Sequence, residues 1–316
     1  MPTLQVIISM NSIEAKVIGF GALNLDRIFY VDRIVRPDEE GFIRSVENHP
    51  GGSAANTIVG LSRLGVPTGY IGKVAEDEAG RILLEDLAKE NVNINGVKTA
   101  RGRSGACLIM VDGKGNRGIL VDPGVNDTIS MADIDLELAN SAKLIHITSF
   151  ACRDAETSFE TQKELAASTS AEISLDPGTL YAERGMEALM IFIQKARVVL
   201  PSDHELTLMT GCRDIREGAD MLIDTGAKWV VVKRGDKGCY VTDGSTGIEL
   251  PPQKVDVEDT TGAGDAFNAG FIYSMLQGKD IETCGKIGNI TASISLTKRG
   301  ARNGLLYRNQ MDALIP

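Results

Sequence analysis

The chain has 316 residues, enough for one large α/β domain, and its formal net charge of −10 argues against a nucleic-acid partner, whose binding surface should be basic. No stretch reaches the ~18 apolar residues of a membrane span, and no signal peptide is evident, so we expect no membrane association. The five cysteines are scattered singly, which argues against a disulfide framework or a zinc site and favours a cytoplasmic location. Residues 1–14 form an N-terminal extension that is left unassigned, and the domain is expected over 15–316.

Strand and helix patterns alternate along most of the chain. Short apolar runs predict buried strands, and amphipathic stretches such as 78–90 predict helices between them. Alternation of this kind indicates a mostly parallel sheet with helices on both faces and ligands at the carboxyl ends of the strands. The predicted strands of this set are 16–21, 70–74, 143–148, 173–176, 196–200 and 229–233.

Two pairs of short β segments interrupt this alternation, at about 28–48 and 100–122. The second pair is joined by Asp112-Gly-Lys-Gly-Asn116, a pattern typical of a hairpin. Neither pair has a helix between its strands, so neither fits a parallel sheet. We therefore expect a small second sheet that is assembled from two insertions.

The stretch Asp259-Thr-Thr-Gly-Ala-Gly-Asp-Ala-Phe-Asn-Ala-Gly-Phe271 predicts the start of a buried helix. Gly262, Ala263 and Gly264 leave the backbone uncovered where a helix has unpaired N–H groups and the positive end of its dipole, so an anion can bind there. Asp265 is expected in the first turn, beside that anion. An anion site next to a fixed carboxylate is what phosphoryl transfer requires. For Gly-Ala-Gly-Asp alone, the simple cap of a buried helix is an equal alternative.

The longer string Asp-Thr-Thr-Gly-Ala-Gly-Asp-Ala-Phe resembles the C-terminal signature of the ribokinase-like, or PfkB-type, family of sugar and nucleoside kinases. Pro50-Gly-Gly-Ser-Ala-Ala-Asn56 contains the Gly-Gly-x-x-x-Asn pattern of its N-terminal signature, and the resemblance covers about 16–312. It implies a ribokinase-like three-layer α/β sandwich with a central, mostly parallel sheet and a small β-sheet lid over the substrate. It also implies that Asp265 is the catalytic base and that the backbone of 262–265 is the anion hole.

The resemblance further implies an acceptor site built from residues that are far apart in the chain. On the residues alone, Asn24 and Asp26 are also consistent with a turn closed by an Asx cap, and Gly51 and Gly52 with a plain helix entry. The implied acceptor contacts are Asn24, Asp26, Gly51, Gly52, Asn56 and Asp265.

ATP and Mg²⁺ are the cofactors that the resemblance implies. Glu205 keeps the last position of the family's Asn-x-x-Glu motif and is expected to act on Mg²⁺ through water, although Ser202 replaces the Asn and the pair also fits a capping box. The 234–238 turn has the form of the family's nucleotide loop, and a solvated hairpin is its alternative. The implied nucleotide contacts are Ser202, Lys233, Gly235, Gly238, Gly262, Gly264 and Asn289. The positions implied for a monovalent cation, K⁺, are Asp259, Thr261, Ser295 and Gly300.

These features predict ATP-dependent phosphorylation of a hydroxymethyl group on a small sugar, in a homodimer that forms through the lid. The stretch 122–126 resembles the Pro-Gly-Ala-Asn of ribokinases, which favours a sugar acceptor. Two alternatives stay open. One is a nucleoside kinase on the same fold, which stacking of Phe29, Phe42 or Ile43 over a base would favour. The other is a non-catalytic sugar or nucleotide sensor.

Overall fold

A computed structural model describes residues 15–153 and 155–314, so the unassigned segment 1–14 lies outside the described residues. Within those ranges, no helix combines the length and hydrophobicity needed to cross a lipid bilayer.

The strands in chain order are β1 (Val17–Phe20), β2 (Asn24–Val31), β3 (Ile43–Gly51), β4 (Thr68–Ala75), β5 (Val92–Ala100), β6 (Gly105–Val111), β7 (Arg117–Asp122), β8 (Leu144–Thr148), β9 (Glu172–Asp176), β10 (Ala196–Val199), β11 (Val230–Lys233), β12 (Cys239–Thr242) and β13 (Gly247–Leu250). The α-helices are α1 (Ser53–Arg63), α2 (Glu78–Lys89), α3 (Leu136–Ser141), α4 (Thr157–Ser168), α5 (Gly178–Ala182), α6 (Gly185–Ala188), α7 (Met190–Lys195), α8 (Asp203–Thr210), α9 (Ile215–Thr225), α10 (Ala263–Leu276), α11 (Ile281–Ser295) and α12 (Arg308–Leu314).

The large sheet has nine strands in the order β13-β12-β11-β10-β9-β8-β1-β4-β5. The strands from β5 to β11 in that order pair in parallel, and β12 and β13 add an antiparallel edge. Its central strands are buried on both faces: Val17 packs into one hydrophobic core with α1, α10 and α11, whereas Ile18 and Phe20 pack into another with α4, α7 and α9. The predicted α/β sandwich with helices on both faces is confirmed.

The small sheet has the strand order β3-β2-β6-β7 and is built from two separate segments, 24–51 and 105–122. The prediction of a second, smaller sheet is confirmed, and we call this sheet the lid. Its first strand starts at Asn24, so Asn24 and Asp26 lie in a strand, and the turn with an Asx cap is excluded. Asp26 pairs with His49 on one side and with Cys107 on the other, so these three side chains share one face of the lid.

Two long helices approach each other closely beside the large sheet. A Cβ atom on Gly60 of α1 would lie 2.7 Å from the Cβ of Ala269 of α10, so only glycine permits this spacing. Gly262 precedes α10 with a φ of 77°, a left-handed conformation that favours glycine. The N-termini of α1 and α10 consequently open toward the same space, next to the carboxyl ends of the parallel strands.

Candidate active site

Asp265 lies in the first turn of α10, as expected, and is 9% exposed. Its two carboxylate oxygens accept different donors from α1: Ser53 Oγ donates to Oδ1 at 2.5 Å, and Asn56 Nδ2 donates to Oδ2 at 2.8 Å. Burial raises the pKa of Asp265 to about 6, although both hydrogen bonds oppose that rise. A carboxylate that titrates near 6 is ionised at neutral pH and is a stronger base than an exposed aspartate.

Asn56 is oriented by Arg302, a residue 246 positions further along the chain. Arg302 Nε donates to Asn56 Oδ1 at 2.8 Å, and a second guanidinium nitrogen contacts the carboxylate of Asp86. This contact fixes the amide so that its NH₂ group faces Asp265. The expected acceptor contact of Asn56 is therefore limited to its remaining N–H, because its oxygen is already paired and the side chain is 6% exposed.

A buried ion pair lies beside the start of α10. Lys233, at the end of β11, donates to Asp176 Oδ2 at 2.5 Å, and Asn268 Nδ2 donates to the same oxygen at 2.6 Å. Although burial alone would lower the pKa of Lys233, nearby carboxylates, with Asp176 the strongest, raise it. The Lys233 Nζ is 3.7 Å from the position that a Cβ on Gly264 would take, so a full positive charge lies next to the predicted anion hole.

A cavity of about 790 Å³ adjoins this end of α10. It extends past the 252–257 segment and the C-terminal half of α11, where Phe267, Val257 and Leu296 give it an apolar wall. Of the predicted nucleotide contacts and the Mg²⁺ residue, those that line it are Ser202, Glu205, Lys233, Gly235, Gly238, Gly264 and Asn289.

Three of these cavity residues also have a structural role. Ser202 and Glu205 form a capping box at the start of α8, in which Ser202 N donates to Glu205 Oε2 at 2.7 Å and Glu205 N donates to Ser202 Oγ at 3.2 Å. Asn289 Nδ2 donates to the backbone oxygens of Leu250 and Pro251. The capping box and the position on the cavity therefore coexist, as the sequence allowed.

The predicted acceptor residues lie on the side of Asp265 opposite to the cavity, where β2 begins and β3 ends. Burial raises the pKa of Asp26 to about 6. A Cβ on Gly51 would lie 2.3 Å from Asp26 Oδ2, so the glycine leaves space for that carboxylate. A Cβ on Gly52 would lie 2.2 Å from the Ala22 carbonyl oxygen, so this glycine leaves space for the chain that enters the lid. Gly52 also has a φ of 101°, which disfavours any other residue.

Asn24 Oδ1 accepts a hydrogen bond from Asn126 Nδ2 at 3.0 Å, and Asn126 also pairs with the backbone of Leu23. The stretch 122–126, which follows β7, is therefore hydrogen bonded to the start of β2, where the lid begins. Part of the hydrogen-bonding capacity of Asn24 is used within the protein.

Three aromatic or apolar lid residues do not cover the acceptor residues. Phe29 is an odd-numbered residue of β2 and lies on the face opposite to Asp26, where it stacks with Arg27 at 5.6 Å. Phe42 is 70% exposed and Ile43 is 59% exposed, near the far end of the lid. The stacking over a base that would favour the nucleoside-kinase alternative has no support in this arrangement.

Three of the four residues predicted for a monovalent cation, Asp259, Thr261 and Gly300, are linked by hydrogen bonds. Asp259 Oδ1 accepts from Thr261 N and Thr261 Oγ1, and its Oδ2 accepts from Gly300 N at 2.8 Å. Ser295 Oγ instead donates to Ala292 O in its own helix. Among the described residues, no cluster of three or more acidic, histidine or cysteine side chains is arranged to hold a metal ion.

Several residues at the site had no role in the sequence analysis. Ser53 stood inside a quoted motif as an unspecified position, Asp176 stood only at the end of a predicted strand, and Arg302 carried no local pattern. Their contacts span 57 to 246 positions, so only the fold brings them together. Cys107 is a further case, because its thiol is hydrogen bonded to the Asp26 carboxylate across two strands of the lid.

Comparison with known proteins gives one consistent assignment. Residues 14–307 match the family described as pfkB family carbohydrate kinase. An "uncharacterized sugar kinase" of Archaeoglobus fulgidus is 47% identical over 247 residues, which is 78% of this chain and 98% of the relative. An "ATP-dependent ribose-1-phosphate kinase" of Halopiger xanaduensis is 32% identical over 290 residues, covering 91% of this chain and 94% of the relative.

Solved structures agree with this chain in fold. A ribokinase from Thermotoga maritima superimposes with a TM-score of 0.86 at 24% identity, covering 95% of this chain and 99% of that one. An Arabidopsis thaliana ribokinase complexed with ribose and ATP superimposes with a TM-score of 0.82 at 24% identity, covering 96% and 99% of the two chains. At this level of identity the likeness establishes the fold alone.

Proposed function

The chain belongs to the pfkB family of carbohydrate kinases, and we propose that within this family it transfers the γ-phosphoryl group of ATP to a hydroxymethyl group of a small sugar. The observation that carries this proposal is the position of Asp265, a buried carboxylate in the first turn of α10, between the cavity on one side and the acceptor residues on the other. A non-catalytic sensor would have no need for a base at that position.

ATP would bind in the 790 Å³ cavity, which is within the ~300–1,000 Å³ of typical small-molecule sites. Its adenine would lie against the apolar wall and its phosphates would point toward 262–265 and Lys233. The unpaired N–H groups at the start of α10 and the Lys233 ammonium would then stabilise the charge that develops on the γ-phosphoryl oxygens. Mg²⁺, when bound, would neutralise phosphate charge, and Glu205 with intervening water fits the way this ion usually binds.

The acceptor would be held by the backbone at Gly51 and Gly52 and by the side chains of Asn24, Asp26 and Asn56. Asp265 takes the proton of its hydroxymethyl oxygen while that oxygen forms a bond to the γ-phosphorus. The bond between the γ-phosphorus and the bridging oxygen breaks, and ADP and the sugar phosphate are the products. Ser53 and Asn56 keep the carboxylate aimed at this position.

The test is ADP release by the purified protein with ATP and Mg²⁺ over a panel of acceptors, with and without K⁺. The panel contains ribose, ribose 1-phosphate, fructose, adenosine and cytidine; ribose 1-phosphate is included because of the relative that bears its name. Turnover on a sugar or sugar phosphate alone supports the proposal and names the acceptor. Turnover on nucleosides alone contradicts the sugar assignment, and dependence on K⁺ would support the monovalent cation that is predicted near Asp259.

We also infer that the protein is a homodimer that pairs through the lid, and that it is cytoplasmic, since its described cysteines are free. The face that carries Asp26 includes Ile28, Ile109 and Ile119, and Ile119 is 58% exposed. Ile119→Asp should give a monomer in sedimentation equilibrium. Leu120→Asp, an equally exposed change on the opposite face, should leave the dimer intact.

A further inference from the structure

The Ser53 hydroxyl has the position relative to the base that an acceptor hydroxyl should have. It donates to Asp265 Oδ1 at 2.5 Å, and Ser53 is exposed, whereas the next eight residues of α1 are buried. A general base acts on a proton that lies within hydrogen-bonding distance of it. In the absence of sugar, the hydroxyl that meets this condition belongs to the protein itself.

The surroundings of Ser53 also favour a phosphoryl group. Ser53 is the first residue of α1, and Asp265 is the third residue of α10, so two helix N-termini face the same space. Each carries unpaired N–H groups and the positive end of a dipole. Lys233 adds a full positive charge beside Gly264. Three sources of positive potential therefore surround the point where the γ-phosphoryl group would move.

We propose that Ser53 is a second phosphoryl acceptor, so that the enzyme with bound ATP and no sugar phosphorylates its own Ser53. Asp265 accepts the proton of the Ser53 hydroxyl, Oγ forms a bond to the γ-phosphorus, and the bond to the bridging oxygen breaks. ADP leaves, and the proton passes from Asp265 to solvent. The inference rests on the proposed function, because it uses the same donor, base and anion hole.

Phosphorylation of Ser53 blocks the acceptor site. A phosphoserine carries about −1.5 to −2 charges at neutral pH, and it would stand between the base and the glycines that the sugar needs. The modified enzyme is therefore inactive toward sugar. Because a bound sugar competes for the base, the modification accumulates when ATP is abundant and sugar is scarce.

The experiment is incubation of the purified full-length protein with radiolabelled ATP and Mg²⁺, followed by peptide mapping with tandem mass spectrometry. We expect incorporation of up to one phosphate per chain at Ser53, at a rate independent of protein concentration. Ser53→Ala should abolish the label, and Asp265→Asn should slow labelling by about 10²–10⁴-fold. Ser62→Ala is the matched control: Ser62 lies in the same helix and donates to Glu90 O, and its loss should leave labelling unchanged.

The outcomes separate this inference from the proposed function. Sugar turnover without phosphate on Ser53 overturns the inference and leaves the proposed function intact. Phosphate on Ser53 without turnover on any acceptor supports the inference, and it contradicts the sugar assignment if Ser53→Ala, which cannot be modified, is also inactive on every acceptor. Labelling that persists at full rate in Asp265→Asn would mean that another enzyme in the preparation added the phosphate, which also overturns the inference. Absence of both activities overturns both.

Discussion

Asp265→Asn should make the protein less active and, at neutral pH, more stable. Burial raises the pKa of the Asp265 carboxyl from an ordinary value of 3.8 to about 6. The folded state therefore holds this proton more tightly than the unfolded chain does. Because its pKa is higher in the folded state, ionisation of this carboxyl lowers the free energy of unfolding. The loss begins as the pH rises above the pKa of the unfolded chain and is complete above the pKa of the folded protein.

Two-state linkage with these pKa values gives a cost of about 3 kcal/mol at pH 7.5 and roughly half of that at pH 5. Asparagine is uncharged at both pH values, so the variant avoids this cost. Changes in the hydrogen bonds from Ser53 and Asn56 also affect stability, but the donors do not titrate in this range. We therefore expect the variant's advantage in the free energy of unfolding to be larger at pH 7.5 than at pH 5, by roughly 1 kcal/mol, while kcat falls by about 10²–10⁴.

Urea unfolding at the two pH values measures the stability change, and ADP release measures turnover. Asp224→Asn removes an exposed carboxylate from α9 and serves as the control, with no effect expected in either assay. An equal stability difference at both pH values would refute the claim that the fold holds Asp265 as a buried charge. Turnover within a few-fold of the parent enzyme would refute its role as the base.

Three further changes test other parts of the site. Burial raises the pKa of Asp26 to about 6, close to that of the base, so a plot of log kcat/KM for the acceptor against pH should fall below pH 6 with a slope approaching two. Asp26→Asn should reduce this slope to one, and an unchanged slope would exclude Asp26 from the acceptor site. Lys233→Met leaves the buried carboxylate of Asp176 without its positive partner and should lower the free energy of unfolding by about 3–5 kcal/mol, and adding Asp176→Asn should restore stability in urea unfolding but not ADP release. Gly52→Ala, at a φ of 101°, should raise the acceptor KM and cost more than about 1 kcal/mol of stability. Gly113→Ala, where nothing lies within 4 Å, is its control, and equal behaviour of the two variants would contradict the steric argument.

The parts of the site that follow local rules could be predicted from the sequence. The start of α10, with glycines before Asp265, can be recognised from the seven residues 259–265. The capping box of Ser202 and Glu205 at the start of α8 is likewise formed by neighbouring residues. The lid was predicted because its strand pairs lack intervening helices. In each case the physical cause lies in neighbouring residues, and a single sequence is sufficient to see it.

Contacts that depend on strand order and register could not be predicted. Lys233 meets Asp176 because β9 and β11 flank β10 in the large sheet, and no spacing in the sequence indicates that order. The registers that place Cys107 beside Asp26 are likewise properties of the assembled lid. Strand β5, at the edge of the large sheet, was missed although its alternating polar and apolar residues are typical of a half-buried strand.

The way the lid is attached has a mechanical consequence. Strand β2 of the lid begins four residues after β1 ends at Phe20, and β3 ends at Gly51, two residues before α1 begins. The acceptor residues therefore lie where this part of the lid joins the rest of the protein. At ~3.3 Å per residue, Asp26 is about 7 Å from Asn24 and Tyr30 is about 20 Å from it. A rotation of ~10° would move Asp26 by only about 1 Å but Tyr30 by about 3.5 Å. The far end of the lid can therefore move by several ångströms while the acceptor residues at its attached end keep their geometry.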